Sequence, residues 1–166
     1  MRWLSALGLG LLALPVLAVV AGQVGLLAGR APTDLGVRDG RLKAPSHTPN
    51  SVSSQALLWP GLPHRELATI APLPLVGDGP QTLARVRSIA LALPGAALVA
   101  ERPDYLYLQF RTRWLGFVDD AEFWFDPAAQ VIQVRSASRL GQRDFGVNRA
   151  RIEAVRAQLN APPAPR

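Results

Sequence analysis

The stretch YLYLQFRTRWLGFVDDAEFWF, Tyr105 to Phe125, determines the fold, because apolar and polar residues alternate in two successive runs. The apolar residues occupy even positions from Leu106 to Phe110 and odd positions from Ala121 to Phe125. Since successive strand residues point to opposite faces of a sheet, a tight turn at Leu115-Gly116 brings both apolar sets to one face. The stretch therefore predicts an antiparallel pair of strands with one buried face.

Two further strands extend this pair. The sequence VIQVRSAS, Val131 to Ser138, follows a four-residue loop and sets Ile132 opposite Phe125. The segment ALVAE lies before the turn at Arg102-Pro103-Asp104 and supplies a strand on the other side. Short connections between consecutive strands are typical of antiparallel neighbours, so the four strands form a meander.

Helical patterns flank the four strands. The first helix follows Asp78, which is its expected N-cap, and ends before Pro94-Gly95. The second covers roughly residues 149–160, with Asn148 as its expected N-cap. The order of elements predicts an α+β fold, an antiparallel four-stranded meander sheet with two helices packed on one face, preceded by an N-terminal transmembrane helix.

The N-terminal run from Trp3 to Gly29 carries no charged residue, and roughly twenty apolar residues suffice to cross a hydrocarbon core. We expect residues 1–29 to be a transmembrane anchor or uncleaved signal, with the membrane contacted through residues 3–28. A cleaved signal peptide ending at Ala21 is the alternative. The cations after the run favour a cytoplasmic domain. The signal-like terminus favours export instead, so we expect the bacterial inner membrane with the main domain in the periplasm.

The remainder of the chain divides into three parts. Residues 30–63 are rich in Pro, Gly and Ser, which predicts a tether and an irregular lead-in to the domain. Residues 64–160 hold the predicted α+β domain, and residues 161–166 a disordered tail. Because cysteine is absent and only His47 and His64 represent histidine, we expect neither a metal nor a cofactor.

The carboxylates of the second strand are separated by the pleat. Asp120 and Glu122 point to the outer face, away from the apolar stripe, where Arg111 and Arg135 are their expected cross-strand partners. Such pairs stabilise a sheet by roughly 0.2–1 kcal/mol each. This arrangement indicates an architectural role for the two outer carboxylates.

Asp119 points to the core face, between Thr112 on one neighbouring strand and Ser138 on the other. A carboxylate in that position needs hydrogen bonds or a counter-ion, because its burial is otherwise costly. Two interpretations remain open. Asp119 is either a polar latch, held by hydroxyls and an arginine from the following segment, or the floor of a pocket.

The segment from Arg135 to Arg156 contains six arginines against two acidic residues. Either these arginines fasten the loop to the sheet, or Arg139, Arg143 and Arg149 join helix N–H groups to bind a phosphate or carboxylate. The candidate ligand-binding residues are Asp119, Arg135, Ser136, Ser138, Arg139, Arg143, Asn148 and Arg149.

The motifs HTPNSVSSQA, GFVDDAEFWFD and VIQVRSASRLGQRDFGVNRARIE closely resemble the domain-of-unknown-function 1499 family over most of residues 41–160. The resemblance implies no particular reaction, although members often carry a signal or membrane segment. The family commonly has cysteines at the positions of Ser46 and Ser51, spaced for a small disulfide loop. Their joint replacement is what the loss of a disulfide from an exported domain would look like.

Two classes of function follow. The first is a non-catalytic binding or interaction module at the periplasmic face, in which the loop from Arg135 to Arg149 binds an anionic small molecule, a lipid headgroup or a protein partner. The alternative is a hydrolase that uses Asp119, Ser136 or Ser138, and a histidine, although no nucleophile elbow or HExxH motif supports it. Nucleic acid is not an expected partner, because the basic residues are spread along the chain rather than interleaved with aromatic residues.

Overall fold

The computed structural model describes residues 14–161 and confirms the α+β class. All neighbouring strands are antiparallel, in the order β1-β5-β4-β3-β2. The strands are β1 Ser51–Ser53, β2 Ala96–Arg102, β3 Tyr105–Arg111, β4 Val118–Asp126 and β5 Val131–Ser138. The helices are α1 Arg65–Ala68, α2 Gly79–Leu91 and α3 Val147–Asn160, with a 3-10 turn at Ala56–Leu58.

The two long helices cover the face of the sheet that carries the apolar stripe. Helix α2 begins at its predicted cap, where the Asp78 carboxylate accepts a hydrogen bond from the Gln81 N–H at 2.8 Å. Its buried side chains recur at helical spacing and meet those of α3 and the strands in one cluster. Members of that cluster include Leu83, Val86, Ala90, Leu106, Leu108, Phe110, Phe123, Ile132, Val134, Ile152, Val155 and Leu159.

The register between β4 and β5 is as predicted, with Phe125 opposite Ile132. The register between β3 and β4 is shifted by two residues, because the predicted turn sets Phe110 opposite Ala121, whereas Leu108 lies there. The prediction of a tight turn at Leu115-Gly116 was wrong, because a six-residue loop, residues 112–117, connects the strands. Three hydrogen bonds between Thr112 and the residues at the far end of the loop hold it closed.

The predicted count of four strands was also wrong. The fifth strand, β1, pairs with β5 at the edge of the sheet and lies within residues 30–63, which were expected to be irregular. Its three residues, Ser51, Val52 and Ser53, are too few to show an alternating pattern. A hydrogen bond from Ser138 N to Asn50 O, of 3.0 Å, extends the pairing beyond the strand.

Residues 30–47 lie across the outer face of the sheet, opposite the helices. Leu42 is buried there against Tyr105, Tyr107 and Trp124 in a second apolar cluster. The Gln55 side chain fixes the segment, since its amide oxygen accepts from Leu42 N at 2.8 Å and its amide nitrogen donates to Gly40 O at 2.9 Å. Both faces of the sheet are therefore covered, one by helices and the other by irregular chain.

The N-terminal residues that the structure describes pack at one end of the sheet. Residues 14–23 are helical, and Gly22 is buried against the loop between β3 and β4. Within residues 14–161 no helix is both long enough and apolar enough to cross a membrane. Residues 1–13 of the predicted anchor and residues 162–166 of the predicted tail lie outside the described residues.

Candidate functional site

Asp120 on the outer face binds Arg139 through both carboxylate oxygens, at 2.7 and 2.9 Å. The Tyr107 hydroxyl donates to the same carboxylate at 2.6 Å. The prediction that Arg111 is the partner was wrong, because the shifted register moves Arg111 away and its guanidinium donates to Gly22 O. Burial, together with the Asp120 hydrogen bond, raises the pKa of Tyr107, and the ion pair raises the pKa of Arg139.

Glu122 is fully buried and joins the sheet to the covering segment. Its carboxylate accepts from the Tyr105 hydroxyl at 2.7 Å and from the Gly36 N–H at 2.8 Å. Arg135 approaches the other oxygen at 3.5 Å, which confirms the predicted cross-strand pair. Burial and the adjacent Glu122 charge raise the pKa of Tyr105 far above its usual value. These groups form a polar layer beneath residues 30–47.

A cleft of about 710 Å³ opens between residues 30–47 and the outer face of the sheet. Four cationic side chains and two carboxylates line it, together with Ser46, His47 and Ser138. Lys43 binds Asp34 at 2.6 Å, and this hydrogen bond lowers the pKa of the Asp34 carboxyl. The charged lining residues are Arg30, Asp34, Lys43, Asp120, Arg135 and Arg139.

Arg135 is the most buried cation of this lining. Only 6% of its side chain is exposed, and its Nε donates to Ala44 O at 3.2 Å. Its Nη1 faces Glu122, whereas Nη2 has no hydrogen-bond partner among residues 14–161. The cleft wall thus carries a fixed guanidinium group with N–H donors unused within the described residues. Such a group suits a carboxylate or phosphate, which can accept two parallel hydrogen bonds.

The inner face holds a separate polar cluster. Arg151 donates from Nη2 to the Asp119 carboxylate at 2.6 Å, and its guanidinium stacks 4.4 Å from the Phe110 ring centroid. Ser138 lies opposite Asp119 as predicted, but Phe110 takes the place expected for Thr112. This geometry supports the interpretation of Asp119 as a latch, because its charge is already neutralised by an arginine of α3.

Asn148 belongs to the same inner cluster and is not the cap of α3. The cap is Gly146, and the Asp144 carboxylate accepts from the N–H groups of Gly146 and Asn148 at 3.0 and 2.9 Å. The buried Asn148 amide instead accepts from the Ser136 hydroxyl and donates to the Ser138 hydroxyl. The prediction failed because the helix begins at Val147, two residues earlier than expected, where the Asp144 carboxylate binds its first N–H groups.

The remaining predicted ligand residues lie elsewhere. Arg149 donates to the carbonyl oxygens of Leu67 and Thr69 at 3.0 and 2.7 Å, so it fastens α3 to the chain after α1. Arg143 lines a smaller cavity of about 250 Å³ beside the exposed Phe145. The structure therefore divides the predicted site. Arg135 and Arg139 line the outer cleft, whereas Asp119, Ser136 and Asn148 lie in the inner cluster. Ser138 borders both, because it lines the cleft while its hydroxyl accepts from Asn148.

The sequence interpretation missed the second wall of the cleft. Arg30, Asp34 and Lys43 belong to a stretch without periodicity, which was expected to be a tether. Their spacing in the sequence does not predict a shared site, because they lie in a segment without helix or strand.

The histidines of the alternative hydrolase are not joined to its serines or to Asp119 within residues 14–161. His47 lines the outer cleft near Ser138, while the Asp119 carboxylate is bound to Arg151. His64 is exposed at the start of α1. In the part of the chain that the structure describes, no hydrogen bond joins a histidine to Ser136 or Ser138, and no three His, Asp or Glu side chains cluster as a metal site.

Comparison with known proteins gives one match. The family model described as "Protein of unknown function (DUF1499)" matches residues 41–159. The matched region begins within the covering segment and ends within α3, so it includes the sheet, both long helices and most of the cleft. No curated protein and no solved structure matches the chain.

Proposed function

The chain belongs to the DUF1499 family, whose function is unknown, so we propose a function from the geometry of the chain itself. The protein is a membrane-tethered, non-catalytic binding module for an anionic ligand. The outer cleft is the proposed binding site. Its ligand carries a phosphate or carboxylate group, and Arg135 is the residue that receives it.

The observation that carries the proposal is that the Arg135 guanidinium has N–H donors without a partner within residues 14–161 and faces a cleft whose lining residues carry a net positive charge. A cleft of about 710 Å³ lies within the range of roughly 300–1,000 Å³ typical of small-molecule sites. Arg135 is buried, in a region where the effective dielectric constant is lower than in water. Its attraction for an anion is therefore stronger than that of an arginine at the surface.

Neighbouring groups support the same site. Arg30 and Lys43 line the other side of the cleft, where Arg30 is exposed and Lys43 is half-buried and paired with Asp34. Asp120 and the Tyr107 hydroxyl hold Arg139 in one orientation on the opposite side. The ligand would thus meet two buried guanidinium groups on one side of the cleft and two further cations on the other.

The tether and the compartment are part of the proposal. The uncharged run from Trp3 to Gly29 supports insertion in the bacterial inner membrane, and the signal-like terminus supports a periplasmic domain. A reporter enzyme fused after Arg166 that is active only outside the cytoplasm checks the orientation. We expect activity, and an inactive reporter on a stable, membrane-bound fusion would place the domain in the cytoplasm.

Thermal unfolding of the full chain in neutral detergent tests ligand binding. Inorganic phosphate, glycerol 3-phosphate and acetate are compared with chloride at constant ionic strength, so that general screening is the same. We expect phosphate to raise the unfolding temperature more than chloride does, because a ligand that binds only the folded state stabilises it.

A matched pair of variants localises the effect. Lys43→Gln breaks the exposed Lys43–Asp34 pair at the cleft, and Arg87→Gln breaks the similarly exposed Arg87–Glu101 pair elsewhere. We expect only Lys43→Gln to reduce the phosphate-dependent rise. Equal unfolding temperatures in phosphate and chloride would exclude the proposed site, as would equal reductions in both variants.

A further inference from the structure

We propose that the loop between β3 and β4, residues 112–117, is a second membrane contact, inserted at the lipid headgroup level beside the tether. This inference rests on the proposed tether but concerns different residues. It commits to a phospholipid surface as the partner of the loop.

The loop presents an exposed aromatic residue beside a cation. Trp114 is 63% exposed, and the Arg113 guanidinium lies 4.9 Å from the centroid of its ring. Tryptophan is enriched at membrane interfaces, where the ring contacts acyl chains and the N–H remains hydrated. An adjacent arginine suits the same depth, since its charge can reach lipid phosphates.

The loop is joined directly to the apolar N-terminal segment. The Gln23 side chain donates to the carbonyl oxygens of Arg113 and Trp114, at 2.9 Å each. Arg111 donates to Gly22 O at 2.9 Å, and Gly22 packs so closely on Leu115 that no larger residue fits. A membrane that receives this segment must therefore lie next to the loop.

Within residues 14–161, much of the surface of the segment has no protein partner. Leu14, Val16, Leu17 and Val20 are each more than half exposed, and the sequence before them from Trp3 is equally apolar. Apolar side chains clustered at this density on a surface mark a contact with lipid or protein. Continuity with an uncharged run long enough to span a bilayer favours lipid.

Site-directed labelling of the full chain tests the inference, and the absence of cysteine removes any background. A nitroxide is attached at Arg113→Cys, which retains Trp114, or at Ala129→Cys in the exposed loop at the opposite end of β4. Both proteins are reconstituted in vesicles of phosphatidylethanolamine and phosphatidylglycerol. We expect the label at position 113 to be several-fold less accessible to a water-soluble nickel complex than the label at 129.

A second measurement uses the unlabelled chain in vesicles with brominated acyl chains. We expect quenching of tryptophan fluorescence that is partly lost in Trp114→Phe. Flotation of the vesicles separates the two proposals. If the chain floats but the two labels are equally accessible and Trp114→Phe leaves quenching unchanged, the loop contact is wrong while the tether stands. If the chain does not float, both are wrong.

Discussion

Asp119 and Arg151 form a buried ion pair of 2.6 Å that fastens the first half of α3 to the inner face of β4. The next residue, Asp120, binds Arg139 on the opposite face of the same strand. Asp119 thus holds α3 to the inner face, whereas Asp120 fixes the chain that follows β5 on the outer face. The pleat explains the division, because neighbouring strand residues point to opposite faces.

Loss of the inner pair should destabilise the protein strongly. Asp119→Asn leaves the Arg151 guanidinium buried without its counter-charge, which costs about 3 kcal/mol in comparable buried pairs. Urea unfolding followed by tryptophan fluorescence measures the free energy of unfolding.

The pair between Arg156 and Glu153, in which the Glu153 side chain is 47% exposed, provides the control for this measurement. Glu153→Gln should change the free energy of unfolding by less than about 1 kcal/mol, because surface pairs contribute little. If Asp119→Asn costs no more than Glu153→Gln, the latch is not structural.

Alkaline pH should unfold the protein through its only two tyrosines, Tyr105 and Tyr107. Burial raises the pKa of both in the folded state, so the unfolded state loses their protons first, at about pH 10. The unfolded state then binds fewer protons, and the free energy of unfolding falls by up to about 1.4 kcal/mol per pH unit for each tyrosine. Below that pH their contribution is fully present.

Urea midpoints between pH 8 and pH 11 check this slope. Tyr105→Phe should be less stable at neutral pH, since Glu122 loses a hydrogen bond, yet its decline above pH 10 should be shallower than in the wild type. An unchanged slope in Tyr105→Phe would show that the hydroxyl is not protected from ionisation in the folded state.

Ser46 and Ser51 should accept the disulfide that the family resemblance implies for other members. Ser46 N donates to Ser51 Oγ at 2.8 Å, which holds the two Cα atoms within about 7 Å, the upper limit for a disulfide. The oxidised Ser46→Cys, Ser51→Cys variant should be about 2 kcal/mol more stable than its reduced form. The two single variants, measured with and without reductant, control for effects of the thiols; an oxidised protein no more stable than the reduced one would refute the geometry.

The alternating pattern correctly predicted which of the longer strands pair, but it did not predict the register of every pair. The short loop from Pro127 to Gln130 leaves little freedom, so the pairing of β4 with β5 was correct. Between β3 and β4, a shift of two residues keeps every side chain on its face, and alternation cannot detect it. That shift moved Arg111 from the Asp120 carboxylate to the N-terminal segment.

The candidate site was only partly predictable for a related reason. Arg135 is placed by a strand, and its pairing with Glu122 followed from the pleat. Arg139 follows the end of β5, and Lys43 belongs to irregular chain, so no periodicity fixes either side chain. The outer cleft exists because tertiary contacts such as those of Gln55 hold the covering segment in place.

Equilibrium dialysis of the full chain against radiolabelled inorganic phosphate tests the central claim of an anion site in the outer cleft. We predict saturable binding at a single site, weakened by Lys43→Gln and unaffected by Arg87→Gln, because only the first substitution leaves an unpaired carboxylate, Asp34, in the cleft. Binding that does not saturate, or that falls equally in the two variants, would contradict it.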